Sequence, residues 1–176
     1  MILNFAFGLI SFVWLLDGAQ ARAFCPNTWV VYEDSCYLFA DETNVAWPEA
    51  VHFCQSHSHA HLVTVETKEE DMFIKDHARR LFKDDHSKST RNSFWTGAID
   101  EEVEGQWRWY TNHQLLNYSS FHATNEIQTS NEDCLILWGG FNMDWADYFC
   151  DAQSHAICEI NIEEYQQSLE NPQAVG

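Results

Sequence analysis

Positive charge is scarce in this chain. Nine Lys and Arg stand against 27 Asp and Glu, a formal charge of −18 over 176 residues. Such a field repels the phosphate backbone at long range, which excludes nucleic acid and disfavours anionic membrane surfaces. Beyond Leu16 no segment is apolar enough to cross a bilayer. Catalytic signatures are missing as well: there is no GxSxG, HExxH or P-loop. No cysteine sits in a CxxC or Cys/His zinc pattern, so metal–thiolate chemistry is a poor fit. No internal repeat marks a second domain. The prolines are only Pro26, Pro48 and Pro172, so the stretch from 111 to 132 has none. A cis peptide there would lack its usual residue and cost about 2.5–4 kcal/mol. What remains as a partner is a cation, a neutral polar ligand such as a glycan, or a basic protein surface.

What is present begins with an apolar run from Ile2 to Leu16, followed by Ala19-Gln20-Ala21 and Ala21-Arg22-Ala23. A run this short with small-x-small sites behind it predicts a secretory signal peptide over 1–23, although a basic n-region is missing. The expected product is secreted. About 150 residues then remain, enough for one domain with a sizeable core. All six cysteines (Cys25, Cys36, Cys54, Cys134, Cys150, Cys158) follow the expected cleavage point. An even count in a secreted chain predicts three disulfides, with the pairing left open by spacing. Eight Trp and twelve Phe argue against disorder despite the charge.

Residues 28–40 (TWVVYEDSCYLFA) are β-branched and aromatic around a polar turn, which predicts a hairpin. Over 43–56 the period changes, and Trp47, Ala50, Val51 and Cys54 share one face of a helix. Pro48 is tolerated near its start. HLVTV (61–65) is a short strand, and Thr67-Lys68-Glu69-Glu70 is a capping box. A second helix follows, with Phe73, Ile74, Ala78 and Leu81 as its expected buried stripe. A polar loop (83–93) leads to strands at 94–99 and 106–110 that flank the acidic turn DEEVEG. Residues 111–132 show no periodicity, and loops that long are usually functional or disordered. Strands at 133–138 and 155–160 close the list, and a polar tail (163–176) is expected to fray. Gly97 and Gly105 are backbone-geometry positions.

The order of landmarks resembles the C-type lectin-like domain across 24–162. The resemblance is carried by CPNTWVVYEDSCY, the Trp47 helix ending in Cys54, HLVTVETKEED, FWTGAIDEEVEGQWRWY, EDCLIL, WADYFC and HAICE. It implies an α+β fold with two helices, two small antiparallel sheets, a long ligand loop and three disulfides. It also implies the pairings Cys25–Cys36, Cys54–Cys158 and Cys134–Cys150, the first marking the long form. Within the family the chain looks most like small secreted single-domain members such as the perlucin-like proteins of molluscs. The fold makes Trp29, Trp47, Phe73, Trp95, Trp107 and Trp138 expected core residues.

In that family a sugar-binding calcium site pairs a Glu-Pro-Asn or Gln-Pro-Asp triplet with a Trp-Asn-Asp triplet before the fifth cysteine. Calcium needs six to eight oxygens, and the same groups bond sugar hydroxyls. Here the second triplet is Trp145-Ala146-Asp147, and alanine supplies no oxygen. The first falls at Thr124-Asn125-Glu126, without proline. Asn125, Glu126, Glu132 and Asp147 therefore form only a weak remnant. The auxiliary calcium site of the family is better matched, by Asp100, Glu104, Glu132 and Asp133, with Ile127 at a usual fifth position. The alternative is a merely solvated acidic turn.

His57, His59 and His61 alternate, yet they straddle a helix end and a strand start and are expected to be structural or surface residues. Asn117-Tyr118-Ser119 is an N-glycosylation acceptor pattern. Three functions stay open: calcium-assisted carbohydrate recognition in an innate immune or matrix role, an acidic shell or extracellular-matrix protein engaging calcium or mineral, and a protein-binding lectin-like domain.

Overall fold

The computed structural model describes residues 25–83, 92–124 and 131–170. The expected leader (1–23), most of the polar loop at 83–93, and residues 171–176 lie outside the described residues. The chain opens with a hairpin, β1 (Val30–Tyr32) and β2 (Ser35–Val45), in register Val30↔Tyr37 and Tyr32↔Ser35. Helix α1 (Trp47–Ser56) follows. The helical pattern begins four residues later than expected, because β2 keeps pairing as far as Val45↔Ser154. The remaining elements are β3 (His61–Leu62), α2 (Lys68–Leu81), β4 (Phe94–Ile99), β5 (Arg108–Trp109) and β6 (Cys134–Trp138). A 3-10 turn (Gly139–Phe141), β7 (Asp144–Tyr148), β8 (Ser154–Asn161) and α3 (Ile162–Glu170) complete the chain.

Two features differ from expectation. The strands form one sheet in the order β1-β2-β8-β4-β6-β7, with β3 on β8 and β5 on β4, rather than two separate antiparallel sheets. The seam is a parallel pair, Phe94↔His155 and Trp95↔Ala156, joining β4 to β8. A parallel pair has no hairpin turn between its strands, so nothing local in the sequence announces it. The second difference is α3, the third helix, where a frayed tail was expected. Its Ile162 and Tyr165 pack against the core at the end of β8, and tertiary contact of this kind sustains short helices.

Strand alternation divides the core between the two faces of the sheet. One face carries Trp95, Ile136, Ala146 and Ala156 beneath Trp47, Ala50, Val51 and Cys54 of α1. The other carries Phe94, Leu135, Leu137, Trp145 and Ile157 beneath Ile74 and Ala78 of α2. Covering both faces explains why β6 is continuously apolar and why β8 is buried along most of its length. Each fully buried side chain of this size contributes about 1.5–3 kcal/mol. Trp47, Trp95 and Trp107 are core as expected, whereas Trp29, Phe73 and Trp138 are only partly buried.

The buried face of α2 is a further correction. Leu81 is 38% exposed, while Glu70, Asp71 and Lys75 are buried beside Ile74 and Ala78. Charged groups enter the interior there because each finds partners. Thr67 caps the helix by accepting from the Glu70 amide (3.2 Å). The Glu70 carboxylate does not reach back to the cap; it accepts from the Glu66 amide (2.9 Å) and the Tyr37 hydroxyl (2.7 Å).

The disulfides are Cys25–Cys36, Cys54–Cys158 and Cys134–Cys150, the pairings implied by the resemblance. Gly97 is fixed by a close approach: a Cβ there would lie 2.7 Å from the Leu62 carbonyl oxygen. Gly105 sits at φ 77°, a conformation side chains rarely adopt.

Candidate functional site

The acidic turn leaves the end of β4 at Asp100, which is 3% exposed. Its amide donates to the Asp133 carbonyl (3.2 Å), tying the turn to the segment entering β6. Its Oδ2 accepts from the Gly105 amide (2.8 Å) and closes the turn. Its Oδ1 is buried with no hydrogen-bond partner among the described residues. The Asp100 pKa is raised to about 6, chiefly by burial and also by the carboxylates of Glu104, Asp133 and Asp147, against the downward pull of the Gly105 N–H. Four of the acids named from sequence therefore share one electrostatic neighbourhood, and Asp147 belongs to it. Glu132 lies partly buried just before Asp133, while Glu101, Glu102 and Glu104 are exposed. Among the described residues, no three Asp, Glu, His or Cys side chains already stand in a metal-holding arrangement.

The weak remnant is divided by strand geometry. Asn125 and Glu126, with Ile127, lie outside the described residues. Strand β7, absent from the sequence expectation, holds Trp145, Ala146 and Asp147 against Leu137, Ile136 and Leu135 of β6. Trp145 and Asp147 point to the α2 side; Ala146 points to the other. There it is 0% exposed, on the face where the rings of Trp138 and Tyr148 meet 5.2 Å apart. The position that holds a metal ligand in the resembled family is thus occupied here by a fully buried alanine, whose side chain offers no oxygen.

The long loop is stitched down by a buried charged hub that the sequence reading missed. Asp71 on α2 accepts from the Trp145 indole (2.7 Å), the Tyr118 hydroxyl (3.1 Å) and Lys75 Nζ (2.9 Å). Lys75 also donates to Ser120 Oγ (2.7 Å) and Asp144 Oδ1 (3.1 Å). Backbone bonds Leu116 N to Trp107 O, Trp145 N to Ser120 O and His122 N to Trp145 O continue the attachment. In the sequence, Asp71 and Lys75 form an i,i+4 pair of the kind that decorates any exposed helix. Only the indole and phenol converging from elsewhere show that this pair is internal.

The three histidines do not converge. His57 ends α1 with Nδ1 2.7 Å from the Phe53 carbonyl oxygen, His59 is exposed, and His61 Nδ1 lies 2.9 Å from the Leu62 carbonyl oxygen. Asn117 and Ser119 are both exposed, between the anchored residues Leu116 and Ser120.

A hairpin stapled at the start of the chain, two helices on opposite faces of a mixed sheet and a stitched loop beside an acidic turn define the C-type lectin architecture. The family model of the lectin C-type domain matches residues 43–160, and the chain belongs to that family of non-enzymatic binding proteins. It is 30% identical over 135 residues to the perlucin-like protein of Mytilus galloprovincialis, covering 76% of this chain and 81% of that one. It is 33% identical over 140 residues to C-type lectin domain family 4 member E of Mus musculus, spanning 77% of this chain but 60% of that protein. Among solved structures, the carbohydrate-recognition domain of the mouse scavenger receptor C-type lectin is similar at TM-score 0.64 and 28% identity. That match covers 78% of this chain and 98% of the other.

Proposed function

We propose that this protein is a secreted carbohydrate-recognition module that binds neutral glycans on its long-loop side, with calcium supporting the acidic turn. The observation that carries the metal assignment is Asp100 Oδ1, a buried carboxylate oxygen without a partner beside other carboxylates. Asp100, Glu104, Glu132 and Asp133 would hold the ion, an all-oxygen set suited to a hard cation. Bound there, calcium supplies the positive charge that offsets carboxylate repulsion. The turn then keeps the wall of the long loop in place through the Asp100–Gly105 bond. Asn117 is the proposed glycosylation site.

The charge of −18 and the exposed Glu101, Glu102 and Glu104 favour a second reading, in which the acidic surface engages calcium or mineral in an extracellular matrix. A glycan array probed with and without chelator separates the two. Neutral-glycan binding weakened by chelator supports the lectin reading. An empty array, together with adsorption to calcium carbonate, supports the matrix reading. An empty array with no adsorption leaves a protein-binding domain as the function.

A further inference from the structure

A cavity of about 280 Å³ lies where the end of α1, the start of β3 and the first residues of the long loop meet, with Gln55, His59, His61, Gly97, Tyr110 and Thr111 on its wall. Two imidazoles share this wall. His59 is exposed and His61 is partly buried. Ala60 between them is 1% exposed, which pins the segment to the core, and its amide donates to the His57 carbonyl (3.2 Å). His61 Nδ1 lies 2.9 Å from the Leu62 carbonyl oxygen. A carbonyl only accepts, so in the neutral ring Nδ1 carries the proton and Nε2 keeps its lone pair. A backbone carbonyl on one ring nitrogen is the device that fixes the tautomer and aim of a metal-ligating imidazole. His57 is turned elsewhere, its Nδ1 2.7 Å from the Phe53 carbonyl oxygen and its ring 4.1 Å from the Phe53 ring.

We infer that His59 and His61 form a site for a divalent transition-metal ion of the zinc class, with His61 binding through Nε2. Their Cα atoms, two residues apart, are at most about 7 Å from each other, so both rings can meet one ion. Rotation of the exposed His59 ring is enough to bring this about and leaves the core untouched. Among the described residues no third Asp, Glu, His or Cys joins the pair. The Gln55 amide oxygen and water complete the four positions that such an ion takes. Imidazole nitrogen suits zinc, copper and nickel and is a poor ligand for calcium, whereas the carboxylates of the acidic turn suit calcium. The two kinds of ion therefore sort to two places. The charge of −18 draws cations to the whole surface, and ligand chemistry decides which one stays. Bound here, the ion links the end of α1 to the start of β3.

The test is a zinc titration of the untagged full chain in saturating calcium, read by calorimetry and by the ring-nitrogen resonances of the histidines. One equivalent is expected to bind, shifting the His59 and His61 resonances and leaving those of His57 unmoved. His59→Ala, a substitution at an exposed position, is expected to weaken zinc binding at least about tenfold, the scale on which even the outer partners of a metal ligand act. His61→Ala is expected to do the same. Should His61→Ala fail to fold, His59→Ala and the wild-type resonances decide the matter. Gln55→Ala is expected to cost less than either, and His57→Ala is expected to leave the affinity unchanged. A zinc affinity untouched by His59→Ala, or reduced equally by His57→Ala, means adventitious surface binding only and overturns the assignment. Displacement of the zinc by added calcium places the ion at the acidic turn and overturns it as well. The glycan array does not report on this site, so the lectin reading stands or falls separately.

Discussion

Substituting Asp71 with alanine removes the acceptor shared by α2, β7 and the long loop. The bonds lost are those from the Trp145 indole, on a residue 0% exposed, from the Tyr118 hydroxyl, and from Lys75 Nζ. Removing one member of a buried ion pair costs about 3–5 kcal/mol, because the other charge stays buried. Lys75 still reaches Asp144 and Ser120, which places the expected cost near the lower end, about 3 kcal/mol. Against a total stability of about 5–15 kcal/mol this is a large fraction. It corresponds to a fall in Tm of roughly 6–12 °C for a domain of this size. Urea denaturation followed by tryptophan fluorescence measures it directly. The Lys75 ammonium, left with Asp144 as its remaining carboxylate, provides the internal control: Lys75→Met in the Asp71→Ala background is expected to restore about 1 kcal/mol. A loss below about 1 kcal/mol for Asp71→Ala would show that the hub does not hold the loop. So would a double variant less stable than the single one.

Three further outcomes are expected. Calcium is expected to raise Tm, by the equivalent of about 2.7 kcal/mol at 100 times Kd, with Asp100→Asn abolishing the gain and Asp147→Asn only reducing it. The reverse order in scanning fluorimetry would move the metal to the remnant site. Ala146→Asn is expected to lower stability by about 1–3 kcal/mol in denaturant titrations and to create no chelator-sensitive sugar binding. Its amide would be buried on the sheet face that also carries Trp138 and Tyr148, so a new chelator-sensitive signal on the glycan array would contradict that placement. Glu70, raised by burial from 4.5 to about 7, keeps its proton in the folded chain after the unfolded chain has lost it. Stability is therefore expected to fall as pH rises from about 4.5 to 7, by roughly 2–3 kcal/mol, and to level off above. Glu70→Gln should flatten that slope, and an unchanged slope would exclude Glu70 as its source.

Much of the fold was legible because periodicity and cysteine order are local or nearly local signals. The α1 face of Trp47, Ala50, Val51 and Cys54 is buried as its spacing predicts. The hairpin, the Thr67 cap and the position of the acidic turn were readable for the same reason. What escaped depended on distant partners. Asp-Trp-Ala-Asp-Tyr has little β character of its own and becomes β7 only because β6 offers a full ladder. Glu70, Asp71 and Lys75 look like solvent residues until Tyr37, Tyr118 and Trp145 arrive to satisfy them. Leu81 took the place in the expected stripe that these charged residues occupy in the fold. For the site, Asp100 was legible, but its burial was not: nothing in DEEVEG distinguishes the first acid, at 3% exposure, from the exposed acids that follow.

Strand β7 also bears on how a change at one of the two proposed metal positions leaves the other unaltered. Successive residues of a strand face opposite ways, so Trp-Ala-Asp is divided between two environments. Trp145 and Asp147 serve the α2 side, where the indole donates to Asp71 and the carboxylate adds to the field at Asp100. Ala146 serves the α1 side, alone among the three. A change confined to that side can remove a calcium ligand and admit the Trp138–Tyr148 contact above it, while the loop anchor and the acidic turn keep their geometry. Asp100 accepts from the Gly105 amide and donates through its own N–H to the Asp133 carbonyl, and neither bond passes through Ala146.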